Sequence, residues 1–217
     1  MTTPDGNDSP HHSPLFPDKV SAEKMLSESG RMNPGPWVDH SRHVAEAARG
    51  LAIALGDMDP ERMYVCGLLH DIGRRCGRTK MRHIIDGYRY LTDLGYEEPA
   101  RICLTHSFPI QNTNAIFGEW DCTPEERAEV DRMVDGFTYT TVDELFQLCD
   151  ALALPSGCVL LEKRMMDVAL RHGTNDWTVE KWKATFRIQR KFEERLGRSI
   201  YEHLPGVVEN TFGSLTR

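Results

Sequence analysis

Apolar residues recur along this chain at the spacing of α-helices, and glycine or proline residues separate the segments. The clearest example is residues 37–55, in which the apolar positions between Val44 and Leu55 would share one face and Gly56 follows the end. Apolar and polar residues do not alternate over five or more positions in any segment, and no internal repeat is present. The pattern therefore predicts an all-α fold of about nine helices.

The predicted helices end at residues that favour turns or caps. They cover about residues 17–30, 37–55, a helix opening at Asp59–Pro60, 81–94, 99–107, a helix starting at 123–126, 142–154, 158–170 and 179–195, the last resuming towards His203. Residues 108–122 show no period and predict a loop. Residues 1–16 are rich in Pro, Ser, Asp and Gly and predict a disordered tail, which leaves 17–217 as one helical domain.

The third predicted helix ends in the sequence GLLHDIGR, at residues 67–74. Its apolar positions suit a helix that is packed on several sides, and Gly73 is expected to stop it. His70 and Asp71 would then lie together at its last turn, in a crevice at the helix end. Imidazole nitrogen and carboxylate oxygen are ligands of zinc, iron and manganese, although an isolated His-Asp pair is more often simply a capped helix end.

Composition narrows the classes of function. A formal net charge of −7 gives no support for binding to polymeric nucleic acid or to a membrane surface. No apolar run is long enough to span a bilayer, and the first residues lack the order of a secretory signal. The six cysteines are scattered without a CxxC pair, so we expect reduced thiols in a cytoplasmic protein.

Four more candidate ligands lie near the ends of predicted helices, in the order His40, His83, His106 and Asp150. A single histidine at such a position is more often a surface or capping residue, so only the combined set carries weight. His43, three residues after His40, is the alternative to it.

The ordered set resembles the HD-domain superfamily of metal-dependent phosphohydrolases over about residues 20–155. The pattern of that superfamily is a histidine on one helix, the His-Asp pair after the next, and a distant aspartate, matched here by His40, His70–Asp71 and Asp150. Members with two metals add two histidines in between, matched by His83 and His106. The resemblance implies two divalent ions, of iron, manganese, magnesium or zinc, with Asp71 bridging them.

Two departures from the superfamily bear on the chemistry. The gap from the pair to His83 is short for diadenosine-polyphosphate hydrolases. One-metal nucleotidase members have a glutamate base shortly after the pair, whereas Ile72–Arg75 contains no carboxylate, so the metals alone would have to activate water.

The function implied by the resemblance is hydrolysis of a phosphate ester or anhydride in a small, nucleotide-like molecule. Asp71 would be catalytic, and Arg74 would contact only the substrate phosphate, unless it belongs to a solvated basic loop. Glu162, Lys163 and Arg164 are expected on a charged helix face, with Arg164 reaching the pocket as the alternative.

Two other functions fit the same residues. Similar six-residue sites, as in myo-inositol oxygenase, hold two irons and activate dioxygen, and histidine-rich ligation suits iron. A non-catalytic sensor or scaffold could also retain the fold, although buried histidines and carboxylates are costly without a metal or an equivalent polar network.

Overall fold

The structure is a computed structural model that describes residues 16–213. The predicted tail therefore lies, except for Phe16, outside the described residues. The described part contains ten α-helices, two 3-10 helices and one two-stranded antiparallel sheet, which confirms the all-α prediction. Among these residues, no helix has the length and apolar character required to cross a membrane.

The elements follow one another with short connections, apart from residues 106–123. They are α1 (Lys19–Met32), α2 (Trp37–Leu55), α3 (Pro60–Leu69), a 3-10 helix (Ile72–Cys76), α4 (Arg82–Asp93), α5 (Glu97–Thr105), α6 (Pro124–Gly136), α7 (Thr141–Leu152), β1 (Ala153–Leu154), β2 (Gly157–Cys158), α8 (Leu161–His172), α9 (Thr178–Leu196), a second 3-10 helix (Ile200–His203) and α10 (Val207–Phe212). The predicted loop over residues 108–122 contains neither helix nor strand, as expected.

Several helix ends have the predicted caps. The Asp59 side chain accepts hydrogen bonds from the first amides of α3, and Pro60 opens that helix. Thr123 and Glu126 form a capping box at the start of α6. Gly56 ends α2 in the left-handed conformation, with a φ of 76°.

Two helix predictions were wrong at the junction between α7 and α8. Residues 153–154 and 158 were expected to be helical, but Ala153 pairs with Cys158 in the sheet of β1 and β2. Pro155 and the positive φ of Gly157 turn the chain between these strands. Strands of two residues are too short to show an alternating pattern.

Gly73 does not stop α3, contrary to the prediction. The helix ends four residues earlier, at Leu69, and Gly73 lies inside the following 3-10 helix. A Cβ atom at Gly73 would overlap the carbonyl oxygen of His83 and the amide nitrogen of Gly87 in α4. The missing side chain therefore lets α4 approach the His-Asp pair closely.

Helices α2 and α3 lie at the centre of the packing. Every residue of α3 from Met63 to Leu69 is buried, as its apolar pattern predicted. Gly67 faces the backbone of Ala45 in α2 so closely that an added Cβ atom would clash with it. The largest apolar cluster includes residues of α2, α3, α5, α7, α8 and α9. This packing places the ends of several helices around one point.

Candidate metal centre

Six histidine and aspartate side chains from different elements meet at that point. His40 lies in the first half of α2 and Asp150 near the end of α7. The other four lie at element ends: His70 and Asp71 directly after α3, His83 at the start of α4 and His106 directly after α5. Asp150 is partly exposed and the others are buried. These are the six residues that the resemblance selected.

The six side chains contain two groups that could each hold a metal ion. In the first group, Nε2 of His40 lies 2.9 Å and Nε2 of His70 3.7 Å from Oδ1 of Asp150. In the second group, Nε2 of His70 lies 4.0 Å from Oδ2 of Asp71, and Nε2 of His106 lies 3.7 Å from Oδ1 of Asp71. Within each group all ligand atoms lie within 4.8 Å of one another.

His83 joins the cluster through Asp71, since its Nε2 atom lies 3.1 Å from Oδ1 of that residue. The two carboxylate oxygens of Asp71 thus face different partners. Oδ1 faces His83 and His106, while Oδ2 faces His70 and Arg74. A carboxylate that bridges two ions needs this kind of surroundings, although the bridging role itself stays a prediction.

The backbone orients three of the imidazole rings towards the centre. Nδ1 of His70 donates to the carbonyl of Gly67 at 2.7 Å, Nδ1 of His106 to that of Ile102 at 3.0 Å, and Nδ1 of His83 to that of Lys80. Because a carbonyl oxygen can only accept, Nδ1 carries the proton and Nε2 of each neutral ring presents a lone pair to the cluster. Histidine ligands of metals are commonly held in this way.

Two buried atoms at the centre have no hydrogen-bond partner among the described residues: Nε2 of His70 and Oδ1 of Asp71. Lone pairs of nitrogen and oxygen therefore face one another in a buried space, which is costly unless a proton or a cation lies between them. Nitrogen and oxygen donors at these separations fit a divalent metal ion of the zinc, manganese or iron type.

The electrostatic environment favours the charge states that metal binding requires. Burial alone would raise the pKa of Asp71, but the Arg74 guanidinium and the adjacent His83 and His70 hold that pKa well below its ordinary value. Burial alone would also raise the pKa of Asp150, but the hydrogen bond with His40 and the proximity of His70 outweigh burial and lower that pKa. Both carboxylates are therefore ionised at neutral pH.

The histidines respond to burial in different ways. Burial, aided by the neighbouring His70, lowers the pKa of His106 to about 3, and burial also lowers the pKa of His40. At His70 burial is outweighed by Asp71 and Asp150, which raise its pKa. His70 is thus the one of these three whose protonation is favoured relative to an ordinary histidine.

Arg74 does not have the surroundings that were expected of a residue contacting only substrate. Its Nε donates to Oδ2 of Asp71 at 2.6 Å, and its Nη2 lies 3.4 Å from Nε2 of His83. Arg74 follows Asp71 by three residues within one 3-10 turn, so the geometry of that turn brings the two side chains together. The guanidinium therefore compensates the Asp71 charge directly.

A cavity of about 870 Å³ opens from the cluster and is lined by His40, Asp71, His83, His106, Asp150 and Arg74. His43 does not line it, which favours His40 over the alternative. Volumes of this size accommodate small organic ligands.

The cavity wall also contains cations from α8 and α9, among them Arg164 and Lys181. Arg164 thus reaches the pocket, the less favoured of the two sequence interpretations. Lys181 was missed altogether. Thr178 and Thr185 lie three residues before and four residues after it on α9 and are buried, so the structure turns this polar face of the helix inwards.

The sequence model of one protein family, the HD domain, matches residues 37–154, more than half of the 217-residue chain. The matched segment contains all six clustered residues and ends before α8. No curated protein and no solved structure matched the chain.

Proposed function

The chain belongs to the HD-domain family, and from that premise we propose that it is a metal-dependent phosphohydrolase acting on a phosphate ester or anhydride of a small, nucleotide-like molecule. The observation that carries the proposal is the convergence of four histidines and two aspartates beside a cavity. Among the described residues, Nε2 of His70 and Oδ1 of Asp71 at this point have no hydrogen-bond partner.

In this proposal the six residues would form two ligand sets. His40, His70, Asp71 and Asp150 would hold one ion, while His83 and His106 would hold a second with Asp71 shared between them. Divalent ions at such a site supply Lewis acidity towards phosphoryl oxygens and lower the pKa of water towards neutrality.

The remaining carboxylates of the cavity wall are engaged elsewhere, which supports water activation without a carboxylate base. Glu119 is paired with Lys80, and Asp167 with Arg164 and Arg171. The 3-10 segment after the His-Asp pair contains no carboxylate. Asp71 and Asp150 are then the cavity carboxylates left for metal binding.

Arg74 would serve two partners during the reaction. Its Nε holds Oδ2 of Asp71 and thereby fixes the orientation of that carboxylate. Its terminal nitrogens lie at the cavity, where a guanidinium can bind phosphate oxygens in pairs and offset their charge.

The setting of the reaction also belongs to the proposal. All six cysteines are free thiols, which supports a reducing compartment, the cytoplasm. The size of the cavity and its cations support a small phosphorylated substrate rather than a polymer.

The test combines metal analysis with phosphate release. Protein purified without chelators is analysed for metals and assayed with manganese, magnesium or zinc against a panel of nucleotides and sugar phosphates, beside the variants His40→Ala and His43→Ala. We expect bound divalent metal and phosphate release that His40→Ala abolishes and His43→Ala retains. Two irons with substrate-dependent oxygen consumption would replace hydrolysis by the oxygenase reaction. Absence of both bound metal and turnover would favour the third function, a non-catalytic sensor or scaffold.

A further inference from the structure

The wall of the cavity formed by α8 and α9 carries more positive charge than the nearby carboxylates neutralise. It lies beyond residue 154, outside the segment that matches the HD domain. Its cations are Arg164, Arg171 and Lys181, and its carboxylate is Asp167.

Two arginines share that one carboxylate. Nη1 of Arg164 lies 3.2 Å and Nη2 of Arg171 lies 2.7 Å from the same oxygen, Oδ2 of Asp167. The Nε atom of Arg164 donates to the Ala153 carbonyl of β1 at 2.7 Å, which fixes the guanidinium in place. No hydrogen bond of the described residues uses Nη2 of Arg164, so this nitrogen remains available.

Lys181 has no acidic partner of its own. Its ammonium donates to the Ser107 carbonyl at 2.9 Å and lies 5.0 Å from the centre of the Phe117 ring. No carboxylate oxygen of residues 16–213 forms an ion pair with it. Burial lowers the pKa of Lys181 to about 8, which still leaves the side chain mostly cationic at neutral pH. An incompletely solvated cation without a counter-charge is costly unless a ligand supplies one.

These cations are separate from the metal cluster and from Arg74. Neither Arg164 nor Lys181 forms an ion pair with Asp150 in the described structure, although the charge of Asp150 influences both. Arg74 instead adjoins Asp71 and His83. The cavity thus has one cationic group beside Asp71 and another on the α8–α9 wall.

We propose that Arg164 and Lys181 bind a second anionic group of the substrate, a phosphate or carboxylate that is not cleaved. The inference rests on the proposed function, in which a first anionic group of the substrate, the phosphate that reacts, binds at the metal cluster. It defines the substrate class as small phosphorylated molecules with two anionic groups, for which a cavity of about 870 Å³ has room.

The test compares substrates that differ by one anionic group. The pairs are glycerol 3-phosphate with 3-phosphoglycerate, and glucose 6-phosphate with glucose 1,6-bisphosphate. The variants are Arg164→Gln and Lys181→Gln, and the matched controls are Arg187→Gln and Lys183→Gln, because both control residues are exposed on α9 and do not line the cavity.

We expect wild-type protein to favour the member with two anionic groups. Each cavity variant should lower kcat/KM for that member by about 10- to 100-fold, the effect of losing one charge-assisted hydrogen bond, and chiefly through KM. The member with one anionic group should be cleaved as before, and the controls should change neither. Equal losses for both members of a pair would overturn the proposal.

Binding separates this proposal from the hydrolytic one. Calorimetry with 3-phosphoglycerate and glycerol 3-phosphate requires no turnover, so a binding preference that Lys181→Gln removes would support the second site even if no phosphate were released. Equal or undetectable binding of the two compounds by metal-loaded wild-type protein would overturn it. Because Arg164 also holds β1, thermal unfolding and metal content are measured for every variant. If Arg164→Gln proves unstable, the conclusion rests on Lys181→Gln, which loses only one backbone contact.

Discussion

The Nε2 atom of His40 lies 2.9 Å from the Oδ1 atom of Asp150, although 110 residues separate the two positions. The contact joins α2 to α7 and closes the cluster between its first and last members along the chain. Helix α7 is itself tied to α5, because Asp143 accepts two hydrogen bonds from Arg101 and one from Thr105. Thr105 immediately precedes His106, so its bond to Asp143 fixes the position of His106 relative to Asp150.

Replacing Asp71 tests the metal centre most directly. We expect Asp71→Ala to abolish phosphate release and to lower metal affinity by at least about 100-fold, because Asp71 is the carboxylate that faces both ligand sets. Metal content and phosphate release are measured together with circular dichroism, which should remain that of a folded helical protein. Asp39→Ala, at an exposed position of α2, serves as the control. An active Asp71→Ala protein would remove the proposed mechanism.

Arg74→Ala should separate substrate binding from metal binding. We expect kcat/KM to fall about 10- to 100-fold, because one charge-assisted contact to phosphate is lost. Metal content should not fall, since Arg74 contacts Asp71 but is not itself one of the proposed metal ligands. Metal-free Arg74→Ala should unfold at lower denaturant concentration than metal-free wild type, because the buried Asp71 charge loses its partner. Unchanged kcat/KM on every cleaved substrate would exclude Arg74 from the reaction.

Local signals in the sequence predicted most of the fold. Apolar periodicity identified α2 and the buried α3, and caps such as Asp59 and Thr123 act within a few residues of their own position. The order of the histidines and aspartates could also be recognised in the sequence, because each lies at or within a few residues of an element end that such signals locate.

Features that depend on distant contacts were missed. Gly73 was interpreted as a helix stop, whereas its role is the close approach of α4, which no neighbouring residue reveals. Lys181 is a polar residue in a largely polar helix, and only the packing of α9 against Ser107 turns it into the cavity. The bond from Arg74 to Asp71 depends on the chain forming a 3-10 turn there instead of extending α3.

Metal affinity should depend on pH through His70. Burial acts against protonation of this ring, but Asp71 and Asp150 outweigh it and raise its pKa in the metal-free protein above the ordinary 6.5. Since a metal needs the unprotonated nitrogen, affinity should fall about tenfold per pH unit below that pKa and level off above it. The measurement is the dissociation constant of manganese or zinc over a pH series, together with the protons released on binding. A decline that begins only well below pH 6.5 would identify a different titrating ligand.

Replacing Gly73 should affect both stability and the second ligand set. In Gly73→Ala the new Cβ atom would overlap backbone atoms of His83 and Gly87, and backbone cannot move aside as a side chain can. Helix α4 must therefore shift away from the 3-10 helix, which we expect to cost about 3 kcal/mol or more of the free energy of unfolding. The shift would also draw His83 away from Asp71, so metal stoichiometry should fall from two ions to one.

The control is Gly136→Ala at the end of α6, where a Cβ atom would meet nothing within 4 Å. The higher helix propensity of alanine should leave the stability of this control equal to that of the wild type or slightly greater. Denaturant unfolding and metal analysis of the two variants provide the comparison, and a Gly73→Ala protein as stable as Gly136→Ala with both ions retained would show that α4 does not depend on this close approach.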